Sequence, residues 1–188
     1  MYNPSMSKYI AFLRAINVGG HNVKMDYLRQ LFESLGFSNV ETFIASGNVI
    51  FEAKTGNAKA LEKKIEVCLQ EALGYEVATF VRTNAKLAEI AKYRPFPQSQ
   101  LDNAMALNIG FLADELDHAA KQKLLSLRTE IDDFHVHGRE IYWLCKNKQS
   151  DSKISNVVIE KTIKVRTTLR GMNTVHKMAE KYAKTMES

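Results

Sequence analysis

"NVETFIASGNVIFEA", residues 39–53, consists of two short segments separated by Ser46 and Gly47. Apolar and polar side chains alternate in both segments. This alternation predicts two β-strands, because successive side chains of a strand point to opposite faces. Glycine supplies the positive φ that a tight turn requires. The stretch therefore predicts a β-hairpin, and the elements on either side of it decide the fold.

Each side of this hairpin carries one helix and one strand. The preceding helix has an apolar stripe from Met25 to Leu35 and ends at Gly36. The following helix is capped by Asn57 and ends at Gly74. The predicted elements are a strand at 8–18, the first helix, the hairpin, the second helix, a strand at 75–82, and an added helix capped by Thr83 or Asn84.

The second half of the chain repeats this plan. Between the halves, Arg94–Asn103 holds two of the chain's three prolines and is predicted to be a linker, because proline restricts itself and its predecessor. "ASGNVIF" has a counterpart in "VHGREIYW", and "KLAEIAK" has one in "KMAEKYAK". The predicted elements are a strand at 105–113, a helix at 114–128, a hairpin at 132–145 that turns at Gly138, a helix at 152–164, a strand at 165–170 and a capped helix at 173–184.

This order of elements predicts an α+β fold. The order β-α-β-β-α-β is the split βαβ, ferredoxin-like arrangement, also called the alpha-beta plait. One repeat of about 90 residues favours a duplicated domain over a solenoid, whose units are shorter. We therefore expect two ferredoxin-like (βαββαβ) subdomains, at 7–98 and 99–188, each with an added C-terminal helix.

The composition is that of a globular protein, with 45% hydrophobic and 25% charged residues. The chain has no apolar run of about eighteen residues and no signal-peptide pattern at its N-terminal end, so no membrane span or export is expected. Cys68 and Cys145 are too few for a disulfide framework and lack the close partners of a zinc site. We expect a cytoplasmic protein that is a monomer or a weak homodimer.

Positive charge is concentrated at the C-terminal end. The chain has 26 Lys and Arg against 21 Asp and Glu, and Lys146–Ser188 contains 10 basic and 4 acidic residues. A basic region favours an anionic partner, either a small molecule or nucleic acid. Lysines on helix surfaces also serve simply to keep a protein in solution, so both interpretations remain open.

The stretch "NVGGHNVK", which begins at Asn17, lies where the first strand meets the first helix. Backbone N–H groups at a helix start can bind an anion, which Gly19 and Gly20 would let approach and Lys24 would attract. The stretch matches no nucleotide-binding fingerprint, and glycine pairs are also common in turns. Arg14, on an otherwise apolar strand face and opposite in direction to Asn17, would need a partner or a ligand.

Arg82 and Arg170 occupy equivalent places near the ends of the two fourth strands. Guanidinium groups bind phosphate or carboxylate in bidentate fashion, so the two positions could form paired anion sites. Asn84 and Asn173 follow them as expected helix caps. The alternative is that both arginines tie the strand ends to the rest of the chain.

The turn Ser46-Gly47-Asn48 and the histidines give weaker indications. A turn explains Ser46 and Asn48, whose side chains bond local backbone, and no histidine lies near in sequence to activate Ser46 as a nucleophile. We keep both as candidate ligand residues at the rim of a site. His135 and His137 share one strand face, but no third ligand is evident, so no metal site is expected. No motif identifies a cofactor.

Aromatic residues raise the question of RNA binding. Ferredoxin-like RNA-binding domains stack bases on aromatic residues of strands one and three, here Phe12 and Phe51, but their consensus around strand three is absent. Tyr142 and Trp143 are adjacent and therefore face opposite ways. Core packing is the favoured use of these rings.

The stretch "LRAINVGGHNVKMDYLRQLFESLGFSNVETFIASGNVIFEA" resembles the signature of a bacterial family, domain of unknown function 1697. Ala15 stands where that family has glycine. The similarity continues through "FVRTNAKLAEIAKYRPFP" and "LRGMNTVHKMAE", where Gly171 and Met172 stand at positions that more often hold asparagine and tryptophan. The resemblance implies two ferredoxin-like subdomains and brings no known activity.

These observations favour a protein that binds an anionic ligand, either a nucleotide-like small molecule or nucleic-acid phosphate. One alternative is a small-molecule enzyme with a cleft between the two subdomains, so enzymatic activity stays open. Another is an interaction module whose open sheets pair with another chain. The candidate ligand residues are Arg14, Asn17, Gly19, Gly20, Lys24, Ser46, Asn48, Arg82, Arg170 and Asn173.

Overall fold

The structure, a computed structural model, describes residues 5–44, 47–54 and 56–182. The chain forms two compact units. Unit 1 contains the described residues up to Ala88 together with Tyr182, and unit 2 is Glu89–Lys181. The expected subdomain limits, 7–98 and 99–188, stay a prediction.

Unit 1 has the order of elements that the hairpin predicts. They are β1 (Ser7–Leu13), α1 (Met25–Ser34), β2 (Ser38–Thr42), β3 (Asn48–Ala53), α2 (Ala58–Leu73) and β4 (Thr79–Thr83), followed directly by α3 (Asn84–Lys92). The strands form an antiparallel sheet in the order β2-β3-β1-β4. The first and third strands are therefore central, as in a ferredoxin-like fold.

Unit 2 repeats this order. Its elements are α4 (Gln98–Asp102), β5 (Ala106–Phe111), α5 (His118–Leu125), β6 (Asp132–His137), β7 (Glu140–Cys145), a 3₁₀ turn (Gln149–Asp151), α6 (Asn156–Ile163), β8 (Thr168–Gly171) and α7 (Met172–Tyr182). Its antiparallel sheet has the order β6-β7-β5-β8. The segment predicted to be a linker instead contains the short helix α4 after Pro97 and buries Phe96.

The helix ends follow the local chemistry of the sequence. Asn57 accepts a hydrogen bond from the N–H of Ala60 at 3.2 Å, and Gly74 ends α2 in the left-handed region. Thr83 caps α3, because its Oγ1 accepts from the N–H of Lys86 at 3.0 Å. Among the described residues, no helix is long and apolar enough to cross a membrane.

Both faces of each sheet are buried. One face of the unit 1 sheet packs against α1 and α2, and the other carries Ile10, Phe12, Ile50 and Phe80, all buried. In unit 2 the corresponding second face carries Ile109, Phe111, Tyr142 and Leu144, also buried. The rings considered for base stacking, Phe12, Phe51, Tyr142 and Trp143, are therefore core residues.

Side chains or a bulge protect edge strands of both sheets. The outward N–H groups of Thr79 and Val81 on β4 donate to Glu66 and Glu62 of α2. In unit 2, Glu160 accepts a hydrogen bond from the N–H of Thr167 just before β8, and Arg128 donates one to the carbonyl of Phe134 on β6. On β2 of unit 1, the register shifts between Ser38 and Glu41. Such devices oppose pairing with another chain, which weighs against interaction by strand addition.

Candidate functional site

The loop that follows β1 is held in a defined shape. The Oδ1 of Asn17 accepts a hydrogen bond from the N–H of Val23 at 2.7 Å. The hydroxyl of Tyr75 donates to the carbonyl of Ile16 at 3.0 Å, and the ring of His21 stacks on Tyr75 with 3.7 Å between centroids. Tyr75 and His21 are residues that sequence reasoning missed; an aromatic pair so far apart in sequence gives no local pattern.

Glycines and a lysine of this loop face solvent. Gly19 and Gly20 are exposed and have positive φ, and a Cβ on either would meet nothing within 4 Å. Lys24 is the exposed N-cap of α1 and makes no side-chain capping bond. The structure therefore brings Asn17, Gly19, Gly20 and Lys24 together on one loop.

Arg14 lies just beyond β1, so the predicted strand is too long. β1 ends at Leu13, and the φ of Ala15 is 54°, in the left-handed region that favours glycine. The N–H of Arg14 donates to the carbonyl of Ala78 at 2.9 Å, and the side chain is half-buried. The prediction that Arg14 alternates with its neighbours on one strand face is wrong, because the chain turns here.

Arg82 and Arg170 are equivalent and both buried, with exposed fractions of 1% and 8%. Arg82 donates to the carbonyl of Val81 at 3.0 Å, and its Nη1 lies 3.8 Å from Oε1 of Glu62. Arg170 donates to Oγ1 of Thr168 at 2.7 Å and to a backbone carbonyl. Burial lowers the pKa of Arg170 to about 10. These contacts favour the structural interpretation of both arginines.

Asn48 stabilises the hairpin from inside. It is fully buried, and its Nδ2 donates to the carbonyl of Phe43 at 3.0 Å. Gly47 has a φ of 80°, and a Cβ there would lie 3.0 Å from a methyl group of Ile16. Ser46 lies outside the described residues. The contacts of Asn48 explain the turn and leave its amide no exposed face for a ligand.

A cavity of about 430 Å³ lies at the start of α7, within unit 2. We call it the α7 pocket and define it by the nine residues that line it: Leu101, Ala104, Met105, Ala106, Leu107, Asn108, Gly171, Met172 and Asn173. Asn173, predicted as a helix cap, is instead the exposed second residue of α7. The pocket thus contains one of the candidate ligand residues.

Asn108 is the unusual residue of the α7 pocket. It is only 7% exposed, and its Nδ2 has no hydrogen-bond partner among the described residues. A buried amide without a partner costs about 1–3 kcal/mol, so native proteins rarely retain one. A ligand that accepts a hydrogen bond from Asn108 would remove that cost. Sequence reasoning missed Asn108, since it sits inside a strand pattern.

The start of α7 also lacks a side-chain cap. The strand pairs Tyr9–Thr83 and Asn108–Gly171 are equivalent in the two sheets. Thr83 caps α3, whereas Gly171 has no side chain, and in the described part of the chain no side chain accepts from the first-turn N–H groups of α7. These N–H groups carry the positive end of the helix dipole.

The two histidines of β6 belong to an aromatic cluster around Tyr93. The Nε2 of His135 lies 2.9 Å from the hydroxyl of Tyr93, and His137 stacks on the same ring at 4.2 Å. Burial, together with the charges of His137 and Arg128, lowers the pKa of His135. No group of three potential metal ligands occurs among the described residues.

Comparisons with known proteins agree on family and fold. Residues 6–142 match the family described as protein of unknown function, DUF1697. The conserved bacterial protein SP0830 from Streptococcus pneumoniae has a similar structure, with a TM-score of 0.74 and 23% identity over 94% of this chain and 98% of that one. At this identity the likeness shows the fold alone. It confirms the predicted α+β fold of two ferredoxin-like subdomains. None of the curated proteins is significantly similar to the chain.

Proposed function

The chain belongs to the DUF1697 family of proteins of unknown function, and we propose that it binds a small organic anion in the α7 pocket. The observation that carries the proposal is the buried, unpartnered Nδ2 of Asn108 beside the uncapped start of α7. Both groups donate hydrogen bonds, and both favour a negative ligand. The free cysteines Cys68 and Cys145 agree with a cytoplasmic setting.

A small ligand fits these observations better than nucleic acid does. The volume of about 430 Å³ lies within the range of about 300–1,000 Å³ that is usual for small-molecule pockets. Nucleic-acid binding relies on lysines and arginines that contact phosphates. Arg82 and Arg170 are buried, as are the central aromatic residues of both sheets.

Binding without chemistry is favoured over acid–base catalysis at this pocket. None of the nine lining residues has a side chain that titrates near neutral pH, and general acid–base catalysis needs one. The alternative of an enzyme working in a cleft between the subdomains stays a prediction, as does the glycine loop as a second anion site.

The test compares the wild-type protein with Asn108→Leu. Leucine has a similar size and removes the unpartnered amide, so we expect the free energy of unfolding of the variant to rise by about 1 kcal/mol. A panel of short carboxylates, phosphate esters and nucleoside monophosphates is then added at low salt. At least one class should raise the melting temperature of the wild type and not that of the variant.

The proposal fails if no class distinguishes the two proteins. It also fails if Asn108→Leu is strongly destabilised, because the amide would then be structural. Binding of a single-stranded oligonucleotide to both proteins, weakening steeply with salt, would favour the nucleic-acid alternative.

A further inference from the structure

The α7 pocket has no positively charged side chain. Its lining consists of aliphatic residues, two methionines, one glycine and two asparagines. The start of a helix supplies about half a positive charge, which matches one negative charge. The lining offers no arginine or lysine, the side chains that commonly neutralise phosphate dianions and diphosphates. The electrostatics therefore favour a monoanion.

The polar groups of the pocket are hydrogen-bond donors in two places. The first-turn N–H groups of α7 begin at Met172, and Nδ2 of Asn108 lies on the neighbouring strand β5, whose residue 108 pairs with Gly171. A carboxylate has two oxygens that accept hydrogen bonds in different directions. One oxygen can thus meet the helix start, while the other meets Asn108 once its buried side-chain amide turns toward the pocket.

The rest of the pocket is apolar. Leu101, Leu107 and Met172 form part of its wall, and the side chain of Met105 is 63% exposed. The backbone of Met105 is fixed, because its N–H donates to the carbonyl of Cys145 at 2.9 Å. A methionine side chain is flexible and adapts to apolar groups of different shape, so an apolar part of the ligand gains contact here.

We infer that the α7 pocket takes a monocarboxylate with a short apolar chain. The carboxylate faces Asn108 and the start of α7, and the apolar chain lies on Met105. This inference rests on the proposed function and names its ligand class. The affinity should rise about fourfold with each added methylene until the wall is covered, as expected from burial of apolar surface.

The experiment is isothermal titration calorimetry with three ligands that have the same pentyl chain: hexanoate, hexanamide and pentyl phosphate. Wild type is compared with Gly171→Thr, which places at α7 the residue that caps α3. A Cβ at Gly171 would meet nothing within 4 Å, and the backbone is outside the left-handed region, so this variant should fold. Circular dichroism checks the fold, and Asn108→Leu serves as the second variant.

We expect hexanoate to bind most tightly and both variants to bind it at least tenfold more weakly. Met105→Ser should bind butanoate as wild type does and lose the gain in affinity from butanoate to hexanoate. If pentyl phosphate binds more tightly than hexanoate and its binding is lost in both variants, the inference is wrong while the proposed function stands. Equal affinity for hexanamide overturns the role of charge. If none of the ligands binds, the inference fails, and the proposed function fails with it once adenosine monophosphate also gives no binding.

Discussion

The starts of α3 and α7 occupy equivalent positions in their units, yet the chain closes only the first. At α3, Thr83 caps the N–H of Lys86, and the paired strand position holds the buried ring of Tyr9. At α7 the same positions hold Gly171 and Asn108, and a cavity lies beside them. These two residue differences thus accompany a cavity at the start of α7, while the fold of the two units is the same.

Elsewhere the two units use similar contacts. The hydroxyl of Tyr182 donates to Glu41 on β2 at 2.9 Å, and the hydroxyl of Tyr93 meets His135 on β6 at the same distance. Each tyrosine thereby fixes an edge strand of its own unit. The tyrosine contacts, which occur in both units, therefore have a structural explanation. The uncapped start of α7 has no counterpart at α3, so it is the better candidate for binding a ligand.

The largest expected difference between the units concerns the glutamates that cover their edge strands. Glu62→Ala should lower the free energy of unfolding by about 3 kcal/mol, because it leaves the buried Arg82 without this carboxylate. Glu160→Ala, where the hydrogen bond from Thr167 is half-buried, should cost about 1 kcal/mol. Urea unfolding measures both. Equal losses would contradict the distinction, and Glu62→Gln, which keeps the acceptor for Val81, should fall between them.

Removing the cap of α3 and adding a cap to α7 should change the free energy of unfolding in opposite directions. Thr83→Ala should lower the free energy of unfolding by about 1 kcal/mol through loss of the cap. Gly171→Thr should raise it by up to about 1 kcal/mol, because it supplies the missing cap in open space. Thermal unfolding of both variants gives the sign. A destabilised but folded Gly171→Thr would show that the start of α7 is already closed.

The strand exits provide a smaller contrast. Ala15, after β1, has a left-handed φ, while no such residue follows β5 before α5 begins among the described residues. Ala15→Gly should therefore raise the free energy of unfolding by about 0.5–1 kcal/mol, because the relief of strain exceeds the added chain entropy. Ala85→Gly, in the exposed first turn of α3, should lower it by a similar amount. Chemical denaturation tests the pair, and a loss for both would refute strain at Ala15.

The smallest expected effect is the pH dependence of the tyrosine contact in unit 2. Burial lowers the pKa of His135 below its usual value of about 6.5, in surroundings that also contain His137, Arg128 and Asp133. The folded state therefore prefers neutral His135, and this contribution is present above about pH 6.5 and lost as the pH falls through the folded pKa.

This effect is measured as the change in melting temperature between pH 7.5 and pH 5. His135→Gln should reduce that change, because it removes the group whose pKa is lowered in the folded state. An unchanged slope in His135→Gln would assign the acid sensitivity to other groups.

Local patterns predicted the fold well because they act over a few residues. The hairpin around Gly47, the cap at Asn57 and the glycine after α2 all follow from neighbouring side chains. The predicted end of β1 was wrong because the turn at Ala15 depends on backbone conformation. The alternation of polar and apolar side chains contains no information about that conformation. The resemblance pointed to this position, since glycine is usual there.

The site was harder to predict because it depends on contacts distant in sequence. The equivalence of Arg82 and Arg170 was visible in the sequence, but their burial was not, because burial depends on residues distant in sequence. Asn108 looks like an ordinary strand residue until its pairing with Gly171 places it at the start of α7. Asn173 was predicted to cap the last helix. It does lie at the start of α7, but as the second residue of the helix and not as its cap.

The central claim is that the start of α7 is open to an anion and the start of α3 is closed. Amide nuclear magnetic resonance during a titration with hexanoate tests it most directly. We predict that the backbone amides of Met172 and Asn173 and the side-chain amide of Asn108 shift together, while those of Asn84 and Ala85 do not move. Equal shifts at both helix starts, or shifts at α3 alone, would contradict the account.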